Sequence, residues 1–444
     1  MNATPSSGEG FTRRGFLGTA AAAAALPLLA ACTTGASPST SSGSGGPGDP
    51  VKFWDMQWGT TSYIAEGKAL VAKYAPKAGL ASPSYQSIAW TNFYQTFASA
   101  IASKTGPAVS SGSGYQAFQF AGQGAIAAAD DVVSGLKKDG EFEDFLPGTF
   151  DFLNTKNGYV GVPWQLDMRV LTYRKPLLEK AGVGVPTDWD SLLTAGKALK
   201  KIGVVGFGTG AGAGSLLAGQ TILGLMINNG GGWFDPDGKP DCVTERNIET
   251  LQFLQELSRN GIMDPAAISY TGANLNDDWL SGKIGMGFNN VPSVGTALGG
   301  TDILVASPLK GPHGDMGALY YVNNLMMYTN TPSQESSNAF LRWYLDNMKD
   351  YWQKGVISAI PVRKSIAQLP EFQKDANSVK AVAEWQPISK TFASLGTKGN
   401  AALNAIEGGT AFTTFSQQVV QGQSDPKTIL ETLQKGLQAA VIGT

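Results

Sequence analysis

Apolar and polar positions change period repeatedly along this chain, and each change marks an element. Lys52-Phe53-Trp54 opens the folded part and predicts a short strand. Ile64, Leu70, Val71 and Tyr74 then recur at helical spacing over residues 61–75, with Pro76 and Gly79 closing the helix. Phe93, Phe97, Ala100 and Ile101 make a second helical stripe, stopped by Gly106-Pro107. Ala108-Val109 is a brief strand entering the loop Ser110-Ser111-Gly112-Ser113-Gly114. Residues 159–164 are extended, 169–174 form a strand, and 176–181 form a short helix ended by Gly182. Thr187 or Asp188 caps a helix that runs to residue 201. Later come a helix over 277–281, strands over 283–288 and 325–328, and helices over 333–348 and 427–441. Strand–loop–helix alternation of this kind predicts an α/β fold with a mostly parallel sheet.

Residues 206–215 are glycine-dense and nearly satisfy a dinucleotide fingerprint, but no acidic residue follows about 20 positions on, as a ribose contact requires. The stretch therefore reads as a loop that lets backbone approach a ligand or a neighbour. Asp235-Pro236-Asp237-Gly238-Lys239 is a tight turn; the further ligands of a calcium loop are missing.

The first 49 residues have a different character. Arg13 and Arg14 precede an apolar stretch over residues 20–31, the layout of an export signal, and the pair suggests the twin-arginine route. That stretch is shorter than the roughly 20 residues a bilayer span needs. Leu29-Ala30-Ala31-Cys32 ends it and resembles a bacterial lipobox, which implies acylation of Cys32 and anchoring at the outer face of the cytoplasmic membrane. Residues 33–49 are mostly Ser, Thr, Gly and Pro, a flexible tether.

Composition narrows the function. With 33 Lys and Arg against 35 Asp and Glu, there is no basic field to hold nucleic acid. The two Cys, one of them Cys32, allow neither a disulfide framework nor a Cys-based zinc site. The single His, His313, lies in a Gly/Pro turn and reads as a solvated loop residue, so a catalytic triad would have to be built on it. No cofactor, metal site or catalytic group is expected.

Several runs resemble the extracellular solute-binding proteins of bacterial ABC importers, in the sugar-binding branch that includes maltose-binding protein. Val162-Pro163-Trp164 through Asp167, Arg169-Val170-Leu171 and Tyr173 resembles the segment crossing between that family's domains. Leu177-Leu178-Glu179-Lys180-Ala181-Gly182 and Pro186-Thr187-Asp188-Trp189-Asp190 resemble the run that follows it. Trp279-Leu280-Ser281-Gly282-Lys283-Ile284-Gly285-Met286, Ser307-Pro308-Leu309-Lys310-Gly311-Pro312, Ile360-Pro361-Val362-Arg363-Lys364-Ser365 and Gln421-Gly422 match later motifs in order. The chain departs from the family at Pro107-Ala108-Val109 and in the Ser/Gly-rich loop after it.

The resemblance implies two α/β lobes of the type II periplasmic-binding-protein fold, with the ligand cleft between them. One lobe is residues 50–168 plus about 323–365, the other about 169–322 plus 366–444. It implies a monomer that closes by hinge bending around a carbohydrate and delivers it to membrane permease subunits. A sugar needs aromatic faces and side chains that both donate and accept hydrogen bonds. By that test and by the resemblance, the ligand-binding candidates are Trp58, Ser113, Tyr115, Gln116, Trp164, Asp167, Asn228, Asn229, Asn289, Asn290, Asn323, Arg363 and Phe412. Asn324 neighbours the second crossing as well. For several of them a structural role is equally open: core packing for Trp58, a salt bridge with Arg169 for Asp167, turn chemistry for Asn289 and Asn290, and a structural turn for Arg363. Competing readings are a binder of a polyamine, amino acid or peptide, an exported glycoside-active enzyme, or a surface adhesin or receptor partner. The enzyme would need a second carboxylate beside Asp167, and none is evident in the sequence.

Overall fold

The computed structural model describes residues 49–59, 61–290, 301–357 and 359–443. Arg13, Arg14, Cys32 and nearly all of the tether lie outside the described residues.

Strand β1 (Val51–Met56) is buried on both faces, so its sequence shows no alternation. It pairs in parallel with β2 (Pro83–Ile88) on one side and β3 (Val109–Gly112) on the other. β2 alternates between buried and exposed positions and begins with Pro83, as suits the outer strand of this path. β4 (Ile126–Ala127) and a hairpin of β5 (Asn154–Thr155) and β6 (Gly158–Tyr159) follow. The long strand β7 (Val162–Arg174) comes next, then β8 (Met286–Asn290), β9 (Ile303–Val305), β10 (Ala318–Tyr328) and β11 (Ile360–Pro361).

β7 serves two sets of partners. Its first half, to Met168, pairs with β10 and β11; its second half, from Arg169, pairs with β8 and β9. β10 also pairs with β3, which completes the order β11-β7-β10-β3-β1-β2. Parallel pairing therefore holds within β1, β2 and β3, while β7 and β10 run antiparallel to each other, to β3 and to β8; β10 also takes a short parallel partner at Ser389–Lys390. Beyond β8, parallel bridges Val205↔Ile284 and Gly208↔Gly287 add the glycine-dense segment to the second set.

Helices cover both sets. Phe340 and Tyr344 of the helix Gln334–Asn347 pack on Phe53 of β1, with ring centroids 5.3 and 4.9 Å away. The helix Leu217–Asn228 is buried almost all round. A helix enclosed on every side has no polar face to show, which is why its apolar residues carry no stripe. Asp188, rather than Thr187, is the N-cap of Trp189–Lys201: its Oδ1 accepts from Ser191 N at 2.8 Å, and Ser191 Oγ accepts from Asp188 N at 3.0 Å.

Several boundaries differ from the sequence reading. The pieces over 159–164 and 169–174 are largely one strand, because β7 is buried on both faces across its middle and has no polar alternation to mark its length. The strand at Val109 continues through Ser110 and Ser111, whose hydroxyls are taken up by Tyr328 and Asp55. The helix before β8 starts earlier, at Gly272, where Thr271 caps it.

Candidate functional site

A cavity of about 930 Å³ opens where β7 changes partners, a size near the upper end of ordinary small-molecule sites. Its floor follows from strand register. Gln165 lies opposite Asn323, Asp167 opposite Tyr321, and Arg169 opposite Asn290. All six residues line the cavity. A register shift between Asn323 and Asn324 divides their roles. Asn323 lines the cavity, whereas Asn324 is fully buried and donates to the Gly114 and Val322 carbonyls, each at 3.3 Å.

The polar side chains of the floor are bonded to one another. Arg169 Nη1 donates to Asp167 Oδ1 at 2.5 Å, and Arg169 Nε to Gln220 Oε1 at 2.7 Å. Gln220 Nε2 and Tyr321 Oη both donate to Glu407 Oε1, at 3.1 and 2.6 Å. The Arg169 guanidinium sits 5.4 Å from the Tyr321 ring centroid. Burial pushes the Glu407 carboxyl above its ordinary range, and the bonds from Tyr321 and Gln220 and the charge of Arg169 oppose that rise. In such a network each member holds the next in place.

Another part of the lining is aromatic. Trp58, Trp90, Phe93 and Tyr94 form it. Trp58 and Trp90 meet edge to face at 4.9 Å, and Trp90 meets Phe93 likewise at 5.3 Å. The outer edges of their indoles are fixed by hydrogen bonds: Trp58 Nε1 donates to Ser111 Oγ at 2.9 Å, and Trp90 Nε1 to the Gln57 carbonyl at 2.7 Å. Asn404 Nδ2 donates to Gln119 Oε1 at 2.7 Å and so joins the helix Ala402–Glu407 to Gln116–Gly122 beside the cavity.

Of the residues singled out in the sequence, Trp58, Ser113, Tyr115, Asp167, Asn290 and Asn323 line this cavity. The other seven lie elsewhere. Gln116 is fully buried and its Oε1 accepts from Ser113 N at 2.8 Å, which braces the loop from below. Trp164 is fully buried among Tyr344, Tyr351 and Trp352. Asn228 accepts from Trp189 Nε1 and donates to the Leu309 carbonyl. Asn229 bonds the Arg246 carbonyl and Glu249. Asn289 donates to Thr172 Oγ1 at 2.7 Å on the inner side of β8. Arg363 is ion-paired with Asp144 and Glu141 at 2.7 and 2.8 Å. Phe412 packs against Trp233 and Phe392.

The glycine-dense loop approaches neighbours and not the cavity. A Cβ on Gly206 would lie 2.6 Å from the Gly196 carbonyl, and one on Gly212 would lie 2.2 Å from that of Ser269. His313 is half-exposed and lies 2.8 Å from Glu249 Oε2. Cys242 is buried, and burial pushes its thiol up to about 12. Among the described residues, no group of three or more His, Cys, Asp or Glu is arranged to hold a metal ion.

Sequence reasoning missed Trp90, Tyr94, Gln220 and Glu407. Glu407 is also the second carboxylate that the sequence did not reveal: it shares the cavity with Asp167. It lies 86 positions from Tyr321, and only the fold joins them. Trp90 carried a signal, an aromatic residue isolated just ahead of a helical stripe.

Comparison with known proteins gives the family and the fold. The profile of the bacterial extracellular solute-binding proteins matches residues 82–349. A solved sugar transporter from Arthrobacter chlorophenolicus A6, with bound laminaribiose, is 51% identical, with 88% of this chain and 99% of that one covered and a TM-score of 0.78. The sugar-binding protein MalE from Xanthomonas citri has the same fold, at 18% identity, TM-score 0.71, and coverage of 89% and 98%. The putative ABC transporter periplasmic-binding protein YcjN from Escherichia coli is 24% identical over 321 residues, 66% of this chain and 70% of that one. The chain belongs to the family of bacterial extracellular solute-binding proteins, with the mixed α/β, two-lobed fold of its MalE-like members.

Proposed function

We propose that this protein is the solute-binding component of an ABC importer and captures a carbohydrate of about disaccharide size, with laminaribiose, a β-linked glucose disaccharide, as the leading ligand. The observation that carries the ligand is the solved relative that shares half of its residues with this chain and holds laminaribiose. The cleft chemistry supports it. The aromatic side chains of the lining suit the apolar faces of pyranose rings, and Asp167, Arg169, Gln220, Glu407, Asn290 and Asn323 suit the hydroxyl rim. Arg169 bonds Asp167 directly and so offsets one of the two carboxylates in the lining. Trp58, Ser113, Tyr115, Asp167, Asn290 and Asn323 are ligand contacts in this reading.

The chain is exported through its Arg13-Arg14 signal, acylated at Cys32, and held at the outer face of the cytoplasmic membrane as a monomer. Residues 50–168 with about 323–365 act as one lobe and the remainder of the folded chain as the other. Ligand that touches both lobes favours the closed state by its differential affinity. The protein binds and does not transform: Asp167 and Glu407 are engaged by Arg169, Tyr321 and Gln220, and neither is kept as a free acid or nucleophile of the kind glycoside hydrolysis needs.

Calorimetric titration of the purified protein with laminaribiose, cellobiose, maltose, spermidine and a set of amino acids tests this. Saturable heat with a glucose disaccharide, and unchanged sugar on chromatography after hours, is the expected result. Heat with spermidine or an amino acid and none with any carbohydrate would overturn the ligand class; release of glucose would overturn the binding role.

A further inference from the structure

Asp55 is fully buried at the end of β1, outside the cavity. Three hydroxyls converge on it. Tyr63 and Tyr85 donate to its Oδ2 at 2.9 and 3.2 Å, and Ser111 donates to its Oδ1 at 2.7 Å. Ser111 Oγ in turn accepts from Met56 N and from Trp58 Nε1, both at 2.9 Å. A serine hydroxyl has two lone pairs and one hydrogen. Both lone pairs are taken by N–H donors, so the hydrogen must go to Asp55. The carboxylate thus fixes the rotor of Ser111, and Ser111 fixes the edge of the Trp58 indole. Burial without such partners would be costly for every group in this chain.

We propose that Asp55 is a positioning residue: through the Ser111 hydroxyl it holds the cavity-lining indole of Trp58 in place and so sets the affinity of the aromatic wall. The affinity half of this rests on the carbohydrate reading; the positioning half does not. What matters on Oδ1 is an acceptor, not a charge. An amide at position 55 keeps an oxygen toward Ser111 and presents its nitrogen to the tyrosine hydroxyls, each of which can accept as well as donate.

The test uses Asp55→Leu, Asp55→Asn, Ser111→Ala and Trp58→Phe in ¹⁵N-tryptophan-labelled protein, with the Trp58 indole N–H resonance assigned by its loss in Trp58→Phe. Without ligand, that resonance is expected to shift and to exchange faster with solvent in Asp55→Leu and Ser111→Ala, and to stay in Asp55→Asn. Laminaribiose affinity is expected to fall about tenfold in the first two, the weight of one well-made hydrogen bond, and to stay within about twofold in Asp55→Asn. Adding Asp55→Leu to Trp58→Phe should cost no further affinity. Should Asp55→Leu not fold, Ser111→Ala decides, since it removes a single oxygen. An unmoved resonance in Ser111→Ala, or Asp55→Asn behaving as Asp55→Leu, would overturn the relay. A moved resonance with unchanged affinity would overturn its role in binding. If the wild-type protein binds no sugar, the carbohydrate reading fails, and the positioning claim is still decided by the resonance.

Discussion

Trp58 and Trp164 lie 6.3 Å apart between ring centroids yet belong to different layers. Trp164 is fully enclosed, while Trp58 lines the cavity. Trp164→Ala should lower stability by about 3–5 kcal/mol in denaturant titrations, as loss of a large core side chain does. Trp58→Ala should cost about tenfold or more in ligand affinity with a much smaller stability loss, read by calorimetry beside the same titrations. Asp55 adds a pH dependence. Burial raises its carboxyl to about 7, against the bonds from Ser111, Tyr63 and Tyr85. The folded state then holds this proton more tightly than the unfolded chain, so the contribution is complete below about pH 4 and lost as pH rises through about 7. Over that window the wild type should lose up to about 4 kcal/mol of stability relative to Asp55→Asn; parallel unfolding curves from pH 4 to 8 check it, and parallel pH profiles would contradict it. At this scale, residue type was a partial guide to the site. Asn228, Asn229 and Asn289 have the chemistry of cleft amides but use it on backbone and core partners. Nothing in the local sequence distinguishes them from Asn290 and Asn323.

Among elements, helices with caps and single apolar faces were the legible ones. The cap was readable to within one residue, Thr187 or Asp188, because the apolar stripe begins at once after it, and the structure assigns it to Asp188. Ser191 holds its carboxyl below the usual range, first through the hydroxyl and then through the N–H. Asp188→Ala should lower stability by about 1 kcal/mol near neutral pH, and the difference from wild type should shrink as pH falls into the range where the carboxylate takes up its proton. Unfolding midpoints at pH 7 and pH 3 measure both. β7 was legible only in pieces, since a strand buried on both faces carries no period-two signal. The helix Leu217–Asn228 left no stripe for the same reason, and with it Gln220 stayed hidden. The family motif over residues 162–173 bridged the pieces of β7, because it marks positions along the chain and does not depend on burial; no motif covered Leu217–Asn228.

For the molecule as a whole, ligand binding should appear as a change of shape and of stability together. Solution scattering should show a smaller radius of gyration with laminaribiose than without it, and an unchanged particle at saturation would argue against hinge closure. At a hundredfold excess over the dissociation constant, the sugar should raise unfolding free energy by about 2.7 kcal/mol. The switch of partners along β7 carries a further consequence. It falls between Met168 and Arg169, flanked by two residues that line the cavity. The cavity lining and the exchange of strand partners therefore share one short stretch of backbone, and a substitution there alters both at once. Diversification of sugar preference among descendants of this chain is then channelled into the aromatic residues Trp58, Trp90 and Phe93, whose side chains are exchanged without touching that strand pairing.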